Sequence, residues 1–152
     1  MLLTDLRTKT RLEISTEWTW GIWFSPDSRL LTLVGHSEET GGGATITQFS
    51  LPGGVRTREF TSNDVGFFPD ISPDGSLLAS GSNEGNFKVI RLSDGQLIAT
   101  ASHYKRTVLD DLQGRMHMIT QLDLVKFSPD GKMILTGGED GSVKLWQLNV
   151  SK

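Results

Sequence analysis

Three histidines are the residues of this sequence best suited to metal or acid–base chemistry: His36, His103 and His117. Metal ligands on one strand or helix stand two or four residues apart, and no two of these histidines have that spacing. The adjacent carboxylates Asp110 and Asp111 suit a cation, but on a loop such a pair is usually solvated. The sequence therefore predicts no metal, no cofactor and no catalytic residue.

Other aspartates occur in short motifs whose residue types are typical of tight turns. The sequence Ser-Pro-Asp-Ser occurs at 25–28, and Ser-Pro-Asp-Gly occurs at 72–75 and 128–131. Proline presets φ at the second position, aspartate bonds its own backbone, and glycine accepts positive φ. We expect positive φ at Gly75 and Gly131, whereas Ser28 replaces that glycine in the first copy.

Each of these turns lies between short apolar stretches with the pattern of β-strands. In the last copy, residues 127–146 (FSPDGKMILTGGEDGSVKLW) contain three strand segments joined by two tight turns. The serines that open the three turns are 47 (72 − 25) and 56 (128 − 72) residues apart. Repeats of about 40–45 residues with four short strands are typical of propeller blades.

With these motifs the chain resembles the WD-repeat β-propeller family over nearly its whole length. The resemblance implies an all-β fold, a propeller segment of antiparallel four-stranded blades with too few blades to close alone. Residues 1–152 then form a single partial β-propeller. Its parts are the end of a preceding blade (1–15), two blades (16–61 and 62–102), an inserted loop (103–118) and a last blade without its outer strand (119–152).

The resemblance also implies a structural network of buried hydrogen bonds in the last blade. In the family, a tryptophan on the third strand, a serine or threonine on the second, a turn aspartate and a loop histidine form this set. Trp146, Thr136 and Asp140 match three of the positions, and His117 is assigned to the fourth. Such a network stabilises a blade only when every partner is present.

Two stretches are candidate protein-binding surfaces. Trp18 and Trp20 open an aromatic strand whose Trp23 we interpret as core, because inner strands are covered on both sides. The segment 102–118 (SHYKRTVLDDLQGRMHM) is interpreted as an inserted irregular loop, and its mixed aromatic, basic and apolar composition is typical of an interface. Its candidate contact residues are Tyr104, Lys105, Arg106 and Arg115.

Composition limits the other function classes. The net charge of −3 argues against general affinity for nucleic acid, and no apolar run approaches the ~20 residues of a membrane span. The chain has no cysteine and its first residues do not resemble a signal peptide, so we expect a cytoplasmic protein.

These observations predict a non-catalytic scaffold that binds other proteins or further propeller blades. The alternative is an enzymatic or ligand-sensing propeller with a site at the channel mouth, where Asp70, Asp123 and His117 are available. The incomplete first and last blades predict either a part of a larger propeller or an assembly of copies. In an assembly, the 11–15 strand of one copy would complete the Trp146 blade of another.

Overall fold

The computed structural model describes residues 2–4, 11–13, 18–36, 43–82, 85–103, 107–110, 116–119 and 122–149, with backbone alone for 2–4, 11–13, 107–110 and 116–119. All regular elements in these residues are β-strands, as predicted for an all-β fold. The strands are β1 (Leu2–Thr4), β2 (Arg11–Glu13), β3 (Thr19–Phe24), β4 (Leu30–His36), β5 (Ala44–Ser50), β6 (Arg56–Ser62), β7 (Phe67–Ile71), β8 (Leu77–Gly81), β9 (Asn86–Arg91), β10 (Leu97–Ser102), β11 (Thr107–Asp110), β12 (Met116–Ile119), β13 (Leu122–Phe127), β14 (Met133–Gly138) and β15 (Val143–Gln147). Among the described residues there is no helix that could cross a membrane.

Consecutive strands pair in antiparallel order to form three blades. The first blade is β3-β4-β5-β6, the second is β7-β8-β9-β10, and the third is the three-stranded sheet β13-β14-β15. Strands β1 and β2 form a separate hairpin. In the part of the chain that the structure describes, none of these sheets closes on itself, which agrees with a partial propeller.

The segment between the second and third blades differs from the irregular loop expected at 103–118. Strands β11 and β12 pair from Thr107 with Ile119 to Asp110 with Met116. The β-branched and apolar residues of these two strands favour extended backbone. In the residues that form β11 and β12, the insertion is therefore a β-hairpin and not an irregular loop.

The three Ser-Pro-Asp turns have the same hydrogen bonds. In each turn the serine hydroxyl donates to the aspartate Oδ1 over 2.6 Å. The serine Oγ also accepts the N–H of the first residue of the next strand over 2.8 to 2.9 Å. Positive φ occurs at Gly75 (73°) and Gly131 (69°), so the prediction for these two glycines is confirmed, and Ser28 has the same conformation (57°).

Apolar faces of neighbouring blades meet in two buried clusters. Between the first and second blades, Ile46 packs with Leu78 and Ile90. Between the second and third, Val89 packs with Val125. Burial of this surface is the main force that holds the blades together.

Inner strands β3, β7 and β13 lie next to one another and end at the same edge of the molecule. Strand β7 contacts β3 on one side and β13 on the other. The turns that follow them also touch: a Cβ added to Gly75 would lie 3.5 Å from Pro26 Cδ, and one added to Gly131 the same distance from Pro73 Cδ. The first residues of the three strands consequently lie together at the opposite edge, which we call the entry edge.

Candidate functional site

A buried set of polar side chains connects the second blade to the third. Thr136, on β14, is fully buried. Its Oγ1 accepts the indole Nε1–H of Trp146 over 2.7 Å and lies 2.6 Å from Nδ1 of His103. His103 follows β10 directly and is also fully buried. The structure thus brings together two of the side chains named for the network, with His103 in the place of the histidine.

The other ring nitrogen of His103 leads to Asp140 through Ser142. Nε2 lies 2.8 Å from Ser142 Oγ, and that hydroxyl donates to Asp140 Oδ1 over 2.6 Å. Asp140 therefore contacts the histidine through one intervening hydroxyl. We call the set Trp146, Thr136, His103, Ser142 and Asp140 the His103 relay.

The number of hydrogens on each group determines which partner donates in every hydrogen bond of the His103 relay. The Ser142 hydroxyl has one hydrogen and gives it to Asp140, so it accepts from Nε2–H of His103. Nδ1 of a neutral imidazole then accepts from the Thr136 hydroxyl, which in turn accepts from Trp146. Each member has one definite role, which fits a structural network rather than a reactive one.

The surroundings of His103 favour its neutral form. Burial is the largest cause that lowers the pKa of His103 below its ordinary value of 6.5, and the positive charge of Lys144 lowers that pKa further. Lys144 Nζ also donates to the backbone carbonyl of His103. The backbone N–H of His103 donates to Gly85 O over 2.8 Å. Ring and backbone are both held in place.

The spacing of His117 before the last inner strand predicts that it is the histidine of this network. His117 lies on β12, within the inserted hairpin, and its side chain is outside the described residues. The hairpin separates His103 from β13, and this displaces the histidine in the count. The feature that identifies His103 is its position directly after β10, at the end of the second blade.

Of the two candidate tryptophans, Trp18 is open to solvent and Trp20 is packed. The side chain of Trp18 is 81% exposed, while its carbonyl accepts the N–H of His36 over 2.8 Å. Gly35 permits this approach, since a Cβ there would lie 2.4 Å from Trp18 O. The Trp20 ring lies 6.0 Å from the His36 ring and 5.5 Å from that of Phe67, between centroids. The entry edge therefore presents Trp18 as an exposed aromatic side chain on a fixed backbone.

The remaining candidate contact residues belong to the inserted segment between His103 and β13. Tyr104, Lys105, Arg106 and Arg115 lie outside the described residues. Strand β13 begins with Leu122 at the entry edge of the third blade, as β3 begins with Thr19 in the first.

Asp70, a candidate for the alternative channel-mouth site, is engaged in contacts between blades. Its Oδ1 accepts from Trp23 Nε1 over 3.3 Å and from Lys126 Nζ over 3.0 Å. Its Oδ2 accepts the backbone N–H of Phe127 over 2.8 Å. Asp123, the second candidate, is exposed. Searched over the described residues, the structure contains no cluster of three His, Cys, Asp or Glu side chains able to hold a metal.

Comparison with known proteins agrees with the repeats in the sequence. The family model of the WD40 repeat, described as WD domain, G-beta repeat, matches residues 59–91 and 109–147. The first match contains most of the second blade and the other contains the third. Both regions thus have the sequence pattern of a WD40 repeat.

Curated relatives are similar to about half of this chain. Protein HIR1 of Kluyveromyces lactis is 32% identical over 82 residues, 52% of this chain and 10% of that protein. The LST8 homolog of Drosophila pseudoobscura pseudoobscura is 35% identical over 81 residues, 52% of this chain and 23% of that protein. The periodic tryptophan protein 2 homolog of Dictyostelium discoideum is 35% identical over 78 residues, which are 51% of this chain and 8% of that protein. The matched part therefore spans less than a quarter of each relative.

Proposed function

We propose, from the premise that this chain belongs to the WD-repeat family, that it is a non-catalytic scaffold that binds another protein. Family membership supports a role in protein interaction in general. The place of contact is the finer part of the proposal, and we assign it to the entry edge. The exposure of Trp18 at that edge is the observation that carries the assignment.

An exposed tryptophan on a fixed backbone is a good anchor for a partner. Tryptophan is enriched among the residues that dominate binding energy, because it buries a large area when it enters a pocket. Little backbone ordering is needed here, since Trp18 O is already bonded to His36 N. Trp20, two residues further along the chain, packs against the rings of His36 and Phe67.

We propose that the inserted segment adds chemistry of a different kind to this edge. Tyr104, Lys105, Arg106 and Arg115 include three cations, in a chain whose net charge is −3. Clustered cations steer acidic partners and increase the rate of association. We therefore propose a partner segment that combines an aromatic or apolar anchor point with acidic side chains.

Affinity capture with a matched control tests this assignment. Immobilised wild-type chain, Trp18→Ala and the fourfold alanine variant of Tyr104, Lys105, Arg106 and Arg115 are compared on one cell extract. Val55→Ala is the control, because Val55 is also exposed but precedes β6 at the opposite edge of the first blade. We expect proteins retained by wild type and by Val55→Ala to be lost from the other two, with unchanged thermal melts. Equal retention by all four chains would contradict the entry-edge assignment.

The alternative of an enzymatic or ligand-sensing propeller receives less support. The Asp70 carboxylate already accepts from three donors of two neighbouring blades, which occupies it structurally. Stoichiometric metal in chelator-free protein would favour the alternative. A cytoplasmic location is also part of the proposal, supported by the cysteine-free sequence. Imaging of the tagged chain in cells tests that location.

A further inference from the structure

A cavity lies between the first and second blades, on the side where their Ser-Pro-Asp turns touch. Its volume is about 330 Å³. Trp23, Leu30 and Ile71 contribute its apolar lining, and Thr32 and Gln48 contribute polar side chains from the first blade. Both blades are four-stranded sheets, so described strands form the two sides of the cavity. We call it the turn cavity.

The equivalent place between the second and third blades has apolar side chains instead. Thr32 pairs with Gln48 in the first blade, as Ala79 pairs with Val89 in the second. Thr32 and Ala79 each follow their turn serine by seven residues (32 − 25 and 79 − 72). Ala79 and Val89 are fully buried in one apolar cluster. The first junction thus has a polar pair beside a cavity where the second junction is closed by apolar packing.

Two carboxylates give the turn cavity a negative charge. Asp27 and Asp74, the turn aspartates of the first and second blades, are exposed, and both line the cavity. Their turns are in contact, since a Cβ added to Gly75 would lie 3.5 Å from Pro26 Cδ. Among the described residues that line the cavity there is no lysine or arginine, and Arg29 is not one of them. The lining therefore complements a cation.

We propose that the turn cavity binds an arginine side chain of a partner protein. The apolar stem of arginine suits Leu30 and Ile71, and its planar cation suits the Trp23 ring and the two carboxylates. The volume is at the lower end of ligand pockets, about 300 Å³, and fits one side chain better than a cofactor. The site lies at the edge opposite to Trp18 and is thus a second contact surface, beyond the entry edge.

Hydrogen-bonding capacity favours arginine over lysine. A guanidinium has five N–H donors in a rigid fork, whereas an ammonium has three donors and no planar face. Gln48 Nε2 donates to Thr32 Oγ1 over 3.2 Å, which leaves the amide oxygen of Gln48 as a further acceptor beside the carboxylates. Several acceptors around one cavity match a donor that can serve them together.

Peptide titration followed by NMR at the tryptophan indoles gives the first test. Of the four tryptophans, Trp23 lines the turn cavity. The probes are acetyl-Gly-Arg-Gly-amide and its counterparts with lysine and with citrulline, which resembles arginine in shape but has no charge. We expect the Trp23 Nε1–H signal to shift with the arginine peptide, and the citrulline peptide to bind about tenfold more weakly. An unmoved Trp23 signal, or equal affinity for arginine and either counterpart, would overturn the proposal.

Three variants locate the binding. Asp27→Asn and Asp74→Asn in one chain remove both charges and keep a residue type that suits turns, so the arginine peptide should bind about tenfold more weakly. Thr32→Ala with Gln48→Val introduces the pair of the second junction and should also weaken binding. Asp130→Asn is the matched control, because Asp130 is in the same turn of the third blade and does not line the cavity. Equal affinity of all these chains would overturn the proposal.

The peptide titration is independent of the entry-edge assignment. Trp18→Ala removes the proposed anchor at that edge and should leave the affinity for the arginine peptide unchanged. Loss of binding in Trp18→Ala would place the arginine contact at the entry edge and overturn the turn cavity as its site. The comparison of arginine with citrulline uses the wild-type chain, so it decides the proposal whether or not a variant folds.

Discussion

Protonation of His103 would remove the acceptor of the Thr136 hydroxyl and place a second donor against it. The directions of the bonds in the His103 relay require a neutral ring with its hydrogen on Nε2. Burial also favours the neutral ring, because the charged imidazolium is poorly solvated there, and it therefore lowers the pKa of His103. The stability of the third blade is thus coupled to pH through His103.

The sign of this coupling gives a prediction. The folded pKa of His103 lies below 6.5, so the unfolded chain binds more protons in mildly acidic solution. The stabilising contribution is fully present above about pH 6.5 and is lost as the pH falls through the folded pKa. The free energy difference between wild type and His103→Asn, of roughly 1–3 kcal/mol at neutral pH, should shrink on acidification. Urea unfolding at a series of pH values measures it, and parallel curves for the two proteins would contradict it.

At the level of single residues, side-chain roles were easier to read from the sequence than distances along the chain. Thr136, Trp146 and Asp140 could be related to one another because they lie within one sheet and its turn, where strand register fixes their spacing. His103 was missed because it reaches the network from the end of the preceding blade, across a spatial contact that no local pattern encodes. Ser142, which connects the ring to Asp140, had no separate pattern in the sequence.

At the level of elements, the Ser-Pro-Asp turns were the most predictable part of the fold. Their geometry is local, since the serine hydroxyl, the aspartate carboxylate and the following backbone N–H are all within five residues. The hydrogen bond from the Ser128 hydroxyl is the largest cause that lowers the pKa of Asp130. The hydrogen bond from the Ser25 hydroxyl has the same effect on the pKa of Asp27. The hairpin β11–β12 was less predictable, because its mixed composition is shared by strands and exposed loops.

Substitution of a turn glycine should show how much the left-handed conformation matters. Gly131 has φ of 69°, and a Cβ there would make only ordinary contact with Pro73. Gly131→Val should therefore lower the free energy of unfolding by roughly 1 kcal/mol or more through backbone strain alone. Gly53→Val is the control, since Gly53 has no positive φ and its nearest contact would be 3.9 Å away. Thermal melts that shift equally for both variants would show that φ is not the cause.

At the level of the whole molecule, Asp70 joins three blades through one carboxylate. Trp23 comes from the first blade, Asp70 from the second, and Lys126 and Phe127 from the third. The carboxylate itself is largely buried, whereas the side chain of Lys126 is 52% exposed. The N–H donors of Trp23 and Phe127 should consequently contribute more than the ion pair, because exposed charges are screened by solvent.

Two substitutions separate these contributions. Asp70→Ala leaves the Trp23 and Phe127 N–H groups without their acceptor and should cost about 1–3 kcal/mol. Lys126→Met removes the cation alone and should cost less than about 1 kcal/mol. Denaturant unfolding midpoints measure both. A larger loss for Lys126→Met than for Asp70→Ala would show that the ion pair is the dominant contact.

The inserted hairpin lies between two fully buried residues, His103 at its start and Leu122 at its end. The His103 relay fixes the first anchor, and the apolar cluster between the second and third blades fixes the other. We consequently expect changes of length and composition between these anchors to leave the packing of the blades unaltered. The same property makes residues 104–121 a natural position for grafting a foreign peptide onto this scaffold.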